Sequence, residues 1–229
     1  MSLKDRVLEA QTKIAWALSQ SERKQEVEIV AATKTRDPKL IENTIACGVK
    51  SIGENRIQEA EKKFQKTTLN TNTKKRFIGH LQSNKVNKCV ELFDTIDSIH
   101  SVKIAKRISN RLIEVNKKIE CLVEVNTSGD QTKHGFLPNE IKEILDCVSI
   151  DNLNIRGLMT LGPNSQDPQK TRESFSLLRN TMIKINSTMN NKKLKELSMG
   201  MSGDYTIGVE EGSTMVRLGT LLYGPRNTQ

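Results

Sequence analysis

Val27-Glu28-Ile29-Val30-Ala31-Ala32-Thr33-Lys34-Thr35-Arg36-Asp37-Pro38 carries the reading of the fold. An apolar, β-branched run stops at Thr-Lys-Thr, and Asp37-Pro38 follows as N-cap and first helical residue of a helix that ends at Gly48. The stretch is one β/α unit with an amine at the end of its strand. Such an amine can form a Schiff base with a carbonyl compound when its surroundings disfavour the ammonium form. A lysine there is more often a solvated side chain with its stem on apolar surface. The rest of the chain decides.

Outward from this stretch, the unit recurs in kind. Strand signals at 49–53, 76–79, 94–99, 119–126, 153–161, 194–199 and 214–218 alternate with helical stretches. One helix ends near Lys66, one runs through Glu91, and another spans 102–116. Pro138 opens a further one, 168–187 has Phe175, Leu178, Met182 and Ile185 in register, and a short one lies near 204–211. Eight strands in strict alternation with helices imply parallel pairing through helical crossovers. The length suits an α/β fold of (β/α)8 TIM-barrel type near its small end. An open doubly wound sheet is the rival; it usually starts from a Gly-rich turn, where this chain has Thr-Lys-Thr. Ahead of the first strand, Leu3, Val7, Ala10, Ile14 and Leu18 give a helix with one buried stripe. The expected organisation is one domain over 1–229, with 1–22 as an extra N-terminal helix packed on the barrel.

Composition narrows the function classes. The chain is 35% hydrophobic and 28% charged, as soluble globular proteins are. No run approaches the roughly 20 apolar residues of a membrane span. Lys4, Asp5, Arg6 and Glu9 argue against a secretory or acid-poor transit leader, so the expected address is the cytoplasm. Cys47, Cys89, Cys121 and Cys147 lie far apart and read as buried small hydrophobes. The three histidines show no ligand spacing, so no metal is expected. The net charge of +9 is not concentrated: Lys62, Lys63, Lys66, Lys74, Lys75, Arg76, Lys117, Lys118, Lys192 and Lys193 sit in short pairs spread along the chain that read as solvated faces. With aromatics at 3%, there is no base-stacking platform for nucleic acid. The charge instead favours anionic ligands.

In a barrel, chemistry sits at the C-terminal strand ends. Found there are Lys34, Asn55, His80 with Ser83, Asn126, Met159 with Thr160, Gly200 with Ser202, and Arg217. Leu197-Ser198-Met199-Gly200-Met201-Ser202-Gly203-Asp204 and Val216-Arg217-Leu218-Gly219-Thr220 cluster glycines and hydroxyls after the last two strands. Their N–H groups and helix starts could cradle a phosphate, or the glycines are ordinary turn residues. Arg217 either faces the cavity, where it would keep a heterocyclic nitrogen unprotonated, or pairs with an acid such as Glu210. Gly53-Glu54-Asn55-Arg56 and Gly79-His80-Leu81-Gln82-Ser83 line the mouth or simply cap helices. His134 reads as an exposed loop residue. No carboxylate pair or Ser/His/Asp spacing offers hydrolytic machinery. An aldehyde bearing a phosphate and a ring nitrogen would use the lysine, the cradle and the arginine together, as pyridoxal 5′-phosphate does. A phosphorylated sugar on an aldolase lysine would use only the first two.

Six motifs in order, Ala32-Thr33-Lys34-Thr35, Gly53-Glu54-Asn55-Arg56-Ile57-Gln58-Glu59, Phe77-Ile78-Gly79-His80-Leu81-Gln82-Ser83-Asn84-Lys85, Arg156-Gly157-Leu158-Met159-Thr160, Leu197-Ser198-Met199-Gly200-Met201-Ser202 and 212–220, resemble the YggS/PROSC-type pyridoxal phosphate homeostasis proteins. The resemblance covers nearly everything after about residue 25. That family is similar in fold to the barrel domain of alanine racemase. The resemblance implies that Lys34 is the Schiff-base lysine, that Ser202, Gly219 and Thr220 contact the phosphate, and that Arg217 faces the pyridine nitrogen. Asn55 would lie near the ring, with His80, Ser83 and Met159 as wall residues. Ile52 stands where an aromatic residue often precedes Gly-Glu-Asn, with no chemical consequence.

The same resemblance implies a part in intracellular vitamin B6 balance without an established reaction, with pyridoxal-phosphate-dependent apo-enzymes as candidate recipients. An arginine at the ring nitrogen weakens the cofactor as an electron sink. The chain ends at Gln229, just past the eighth strand, and is expected to lack the second domain that supplies alanine racemases with a catalytic tyrosine. Its tyrosines are Tyr205 and Tyr223, the latter placed at the start of the last helix. The expectation is a monomeric, non-catalytic carrier without nucleic-acid or membrane partners. A pyridoxal-phosphate-dependent amino-acid racemase is the alternative and needs a second acid/base group opposite Lys34. A nucleic-acid or protein-binding module is the third class, disfavoured by the scattered charge.

Overall fold

In the computed structural model, which describes residues 1–69, 72–190 and 193–225, eight parallel strands close into a barrel in sequence order. They are β1 Glu28–Ala32, β2 Ser51–Glu54, β3 Lys74–Phe77, β4 Thr95–Ile99, β5 Glu120–Glu124, β6 Asn154–Met159, β7 Glu196–Met201 and β8 Met215–Leu218. The seam between β1 and β8 runs from Glu28 opposite Met215 to Ala31 opposite Leu218. The crossovers are α2 Pro38–Ala46, α3 Ile57–Phe64, α4 Val86–Leu92 behind a 3-10 turn Ser83–Lys85, α5 Val102–Glu114, α6 Ile141–Val148, α7 Pro168–Thr188 and α8 Tyr205–Glu210. The helix α1 Leu3–Ser19 precedes the barrel, and the short α9 Thr220–Tyr223 follows it. Of the expected domain, 70–71, 191–192 and 226–229, Lys192 among them, lie outside the described residues.

Local chemistry sets the element ends. Asp37 caps α2 by accepting from the Lys39 N–H at 2.8 Å, with Pro38 at the first helical position. Ser2 and Asp5 form a reciprocal capping box at α1. That helix buries Val7, Ala10, Ile14 and Ala17 against Tyr205, Val209 and Leu222. One boundary differs from expectation: Pro138 does not open α6. The Glu140 carboxylate accepts from the Leu137 N–H at 2.6 Å, which closes a turn over Pro138-Asn139, and the helix starts at Ile141.

The barrel interior holds an apolar plug of Val30, Leu122, Met159 and Met215. Below it lies a buried ionic layer around Arg76. This guanidinium donates to both oxygens of Asp97 at 3.3 Å, to Glu28 at 3.0 Å and to Ser51 at 3.3 Å. Arg76 and Lys63 therefore depart from the expected solvated faces. Arg76 occupies an inward position of β3, and Lys63 falls on the buried stripe of α3 with Ile57 and Ala60. Each is tolerated because carboxylates meet it.

Candidate functional site

Beyond β1, the Thr33 N–H still donates to the Gly53 carbonyl at 3.0 Å, so Lys34 is carried on an extension of the sheet. Thr35 then takes φ +63°, a left-handed conformation that costs a β-branched residue about 1–2 kcal/mol. The Arg36 N–H closes the turn on the Thr33 carbonyl at 3.0 Å. Lys34 opens onto a cavity of about 200 Å³ lined also by Ala32, Arg36, Ser202, Arg217, Gly219 and Thr220. The lysine, the two hydroxyls, the glycine and the arginine, drawn from opposite ends of the chain, are brought to one place.

Ser202 stands over the start of α9. Its Oγ accepts from the N–H groups of Gly219 and Leu221 at 3.1 Å each, so an oxygen already occupies the focus where that chain segment presents donors. Gly200 has a different job. It sits at φ +97°, and a Cβ there would come within 2.8 Å of the Tyr205 Cα, so it serves the turn from β7 into α8.

Arg217 is buried at the end of β8. It donates to the Ser198 carbonyl at 2.9 Å, the Ser198 hydroxyl at 2.7 Å and the Thr160 carbonyl at 2.7 Å. Burial pulls its pKa down, and the carboxylates of Asp97, Asp204 and Glu124 oppose that. The alternative of a pair with Glu210 does not form, because Glu210 is held by Arg172. Met159 is buried in the apolar plug with Val30, Leu122 and Met215 and is not among the residues that line the cavity.

Asn55, His80 and Ser83 do not line this cavity. Asn55 follows β2, and its Oδ1 is buried without a hydrogen-bond partner among the described residues. Gly79 has no side chain because one would lie 2.2 Å from the Asn55 carbonyl oxygen. Ser83 starts the 3-10 turn ahead of α4. His80 stacks on His134 with ring centroids 3.7 Å apart and sits 4.4 Å from His100. His134 is the exposed loop residue expected, and its ring rests on that of His80. Burial, then the neighbouring rings, lowers the pKa of His80.

Two sets of groups escaped the sequence reading. Glu124, 5% exposed at the end of β5, has its carboxyl pushed up to about 7 by burial against the pull of Arg217. The inward alternation Leu122, Glu124 was the signal for it. The second is an ionic strap behind Lys34, formed by Glu54, Glu59 and Lys63. A wider opening of about 520 Å³ lies at the other end of the barrel, beside Ile14, Glu28 and Glu196. Barrel chemistry belongs to the strand C-termini, which is where Lys34 is.

Residues 13–227 match the family described as alanine racemase, N-terminal domain. The pyridoxal phosphate homeostasis protein of Aquifex aeolicus is 37% identical over 199 residues, 86% of each chain. Among solved structures, PipY of Synechococcus elongatus with PLP bound superposes with a TM-score of 0.85 at 28% identity, over 97% of this chain and 100% of that one. An alanine racemase of Clostridium difficile shares the fold, with a TM-score of 0.71 at 17% identity, over 98% of this chain and 57% of its own.

Proposed function

The chain belongs to the alanine racemase N-terminal-domain family, among its pyridoxal phosphate homeostasis proteins, and from that premise we propose that it holds pyridoxal 5′-phosphate through Lys34 and serves intracellular vitamin B6 balance without substrate turnover. The observation that carries this is the shared cavity of Lys34, Ser202, Arg217, Gly219 and Thr220. Its donors suit the cofactor group by group. The Lys34 amine is the group that captures an aldehyde. Ser202 and the N–H groups at the start of α9 suit a phosphate, and the fixed Arg217 cation suits an unprotonated ring nitrogen. When bound, the cofactor supplies an electron sink for amines, which a guanidinium at the ring nitrogen weakens.

Support for carriage over catalysis comes from where the proton carriers are committed. The Tyr223 hydroxyl is bonded to Thr44 at 2.9 Å, and Tyr223 ends α9 rather than starting it. The Tyr205 side chain is packed under α1. A racemase reading would have to use Glu124, across the barrel on β5, and the charge acting on that carboxyl is Arg217, not Lys34. No helix of the described residues is long and apolar enough to cross a membrane. A cytoplasmic monomer that passes its cofactor to apo-enzymes fits this picture.

The test is a purified protein with a visible absorption band that borohydride fixes to the Lys34 peptide. No band, or one unchanged in Lys34→Ala, overturns the assignment. Lys34-dependent interconversion of D- and L-amino acids would overturn the non-catalytic part alone.

A further inference from the structure

Lys34 is gripped from behind, on both sides. Lys63 donates from its Nζ to the Thr33 carbonyl at 2.6 Å and pairs with Glu54 at 2.7 Å and Glu59 at 2.6 Å. Glu54, fully buried at the end of β2, also accepts from the Thr33 hydroxyl at 2.6 Å. The Glu59 carboxylate accepts the N–H of Thr35. The carbonyl and hydroxyl before Lys34 and the N–H after it are therefore all tied to two residues of α3 and one of β2.

This arrangement works against ordinary stability. Glu54 keeps its second oxygen buried with no partner among the described residues, which costs stability. Thr35 is held left-handed, where a β-branched residue is disfavoured. Two carboxylates converge on one ammonium behind the Lys34 backbone, with Arg56 acting on Glu59 from outside. Helix docking needs none of this, since Ile57 and Ala60 already supply the apolar contact of α3.

We propose that Lys63, acting through Glu54 and Glu59, is the positioning device for Lys34: it fixes the Thr33–Thr35 arch so that the amine meets the cofactor aldehyde, and its carboxylates favour the cationic form of the linkage. The proposal rests on Lys34 being the cofactor lysine. It assigns to Glu59 and Lys63 a role in retention that a surface ion pair would not have.

The experiment uses the full-length protein loaded with pyridoxal 5′-phosphate. Release is followed by transfer to excess apo-enzyme, and the pH midpoint of the visible band by absorbance. Glu59→Gln keeps the helix and its shape while weakening the tie to Thr35. It is expected to release cofactor on the order of fivefold faster, the factor of one hydrogen bond. Its band midpoint moves to lower pH, because a negative charge near a cation has gone. Lys63→Met should show the larger change; if it does not fold, Glu59→Gln decides. Glu61→Gln, on the same helix as Glu59, breaks only a solvent-facing pair with Lys88 of α4; it serves as the control and should match wild type. Wild-type release and midpoint in Glu59→Gln overturn the proposal. Absence of any Lys34-linked band in the wild type would instead sink the cofactor reading, and this inference with it.

Discussion

Replacing Glu124 by Gln should stabilise the protein, and only toward the upper end of the pH range. Glu124 closes β5 at 5% exposure, and burial, opposed by Arg217, pushes its carboxyl up to about 7 from an ordinary 4.5. Below the lower value both folded and unfolded chains hold the proton, and nothing is lost. Between the two values the unfolded chain ionises first, so stability falls as pH rises, and the loss is complete above the upper one. At about 1.36 kcal/mol per pH unit the full loss is roughly 3 kcal/mol. Glutamine keeps the shape and is neutral throughout. The variant should equal wild type near pH 4 and exceed it by about 3 kcal/mol near pH 8. For a chain of this size that is a melting-point gain of roughly 5–10 °C. Urea unfolding of the cofactor-free protein at the two pH values measures it. A gain of equal size at both, or a loss at the higher pH, would refute the burial argument and mean that the carboxylate is well paired.

Three further outcomes follow from the geometry. Ser202→Ala removes the oxygen that accepts from Gly219 and Leu221, and should weaken pyridoxal 5′-phosphate by roughly fivefold to tenfold in a fluorescence titration; unchanged affinity would take Ser202 out of the phosphate site. Asp97→Asn leaves the Arg76 guanidinium without its buried partner and should cost about 3–5 kcal/mol in chemical unfolding. Cofactor at about 100 times its Kd should add roughly 2.7 kcal/mol of stability. In Lys34→Ala most of that gain should vanish; if it persists in full, the covalent hold contributes little.

The alternation of strands and helices was legible because its signals are local: an apolar run, a cap, a glycine stop. Asp37-Pro38 and Gly48 mark α2 without any knowledge of what packs on it. That Ser202, Gly219 and Thr220 would gather at one place was legible for the same reason, since they belong to short stretches that cluster glycines and hydroxyls at strand ends. What stayed hidden is the polar part of the interior. Arg76 ends a basic triplet with Lys74 and Lys75, and nothing nearby in sequence shows that Glu28, Ser51 and Asp97 will meet it from three other strands. Lys63 has Lys62 beside it, yet only one of the two falls on the buried stripe of α3. Outside the interior, His80, His100 and His134 are also far apart until the loops after β3, β4 and β5 bring their rings together. In each case the partner is set by closure of the barrel, a relation of high sequence separation to which local periodicity is blind.

Closure also explains why the cavity sits where it does. β1 and β8 are the first and last strands, and their register places Ala31 beside Leu218. Lys34 therefore leaves one edge of the seam where Gly219 and Thr220 leave the other. On the far side of β1, Thr33 bonds to Gly53 and Glu54 of β2, and Arg36 reaches across to the Gly224 carbonyl past α9 at 2.6 Å. A ligand held by its aldehyde at Lys34 and by its phosphate at the start of α9 bridges the two ends of the fold. Binding and barrel closure are then linked, so that the bound form is the more firmly closed one. By the same linkage, loosening the seam loosens the ligand.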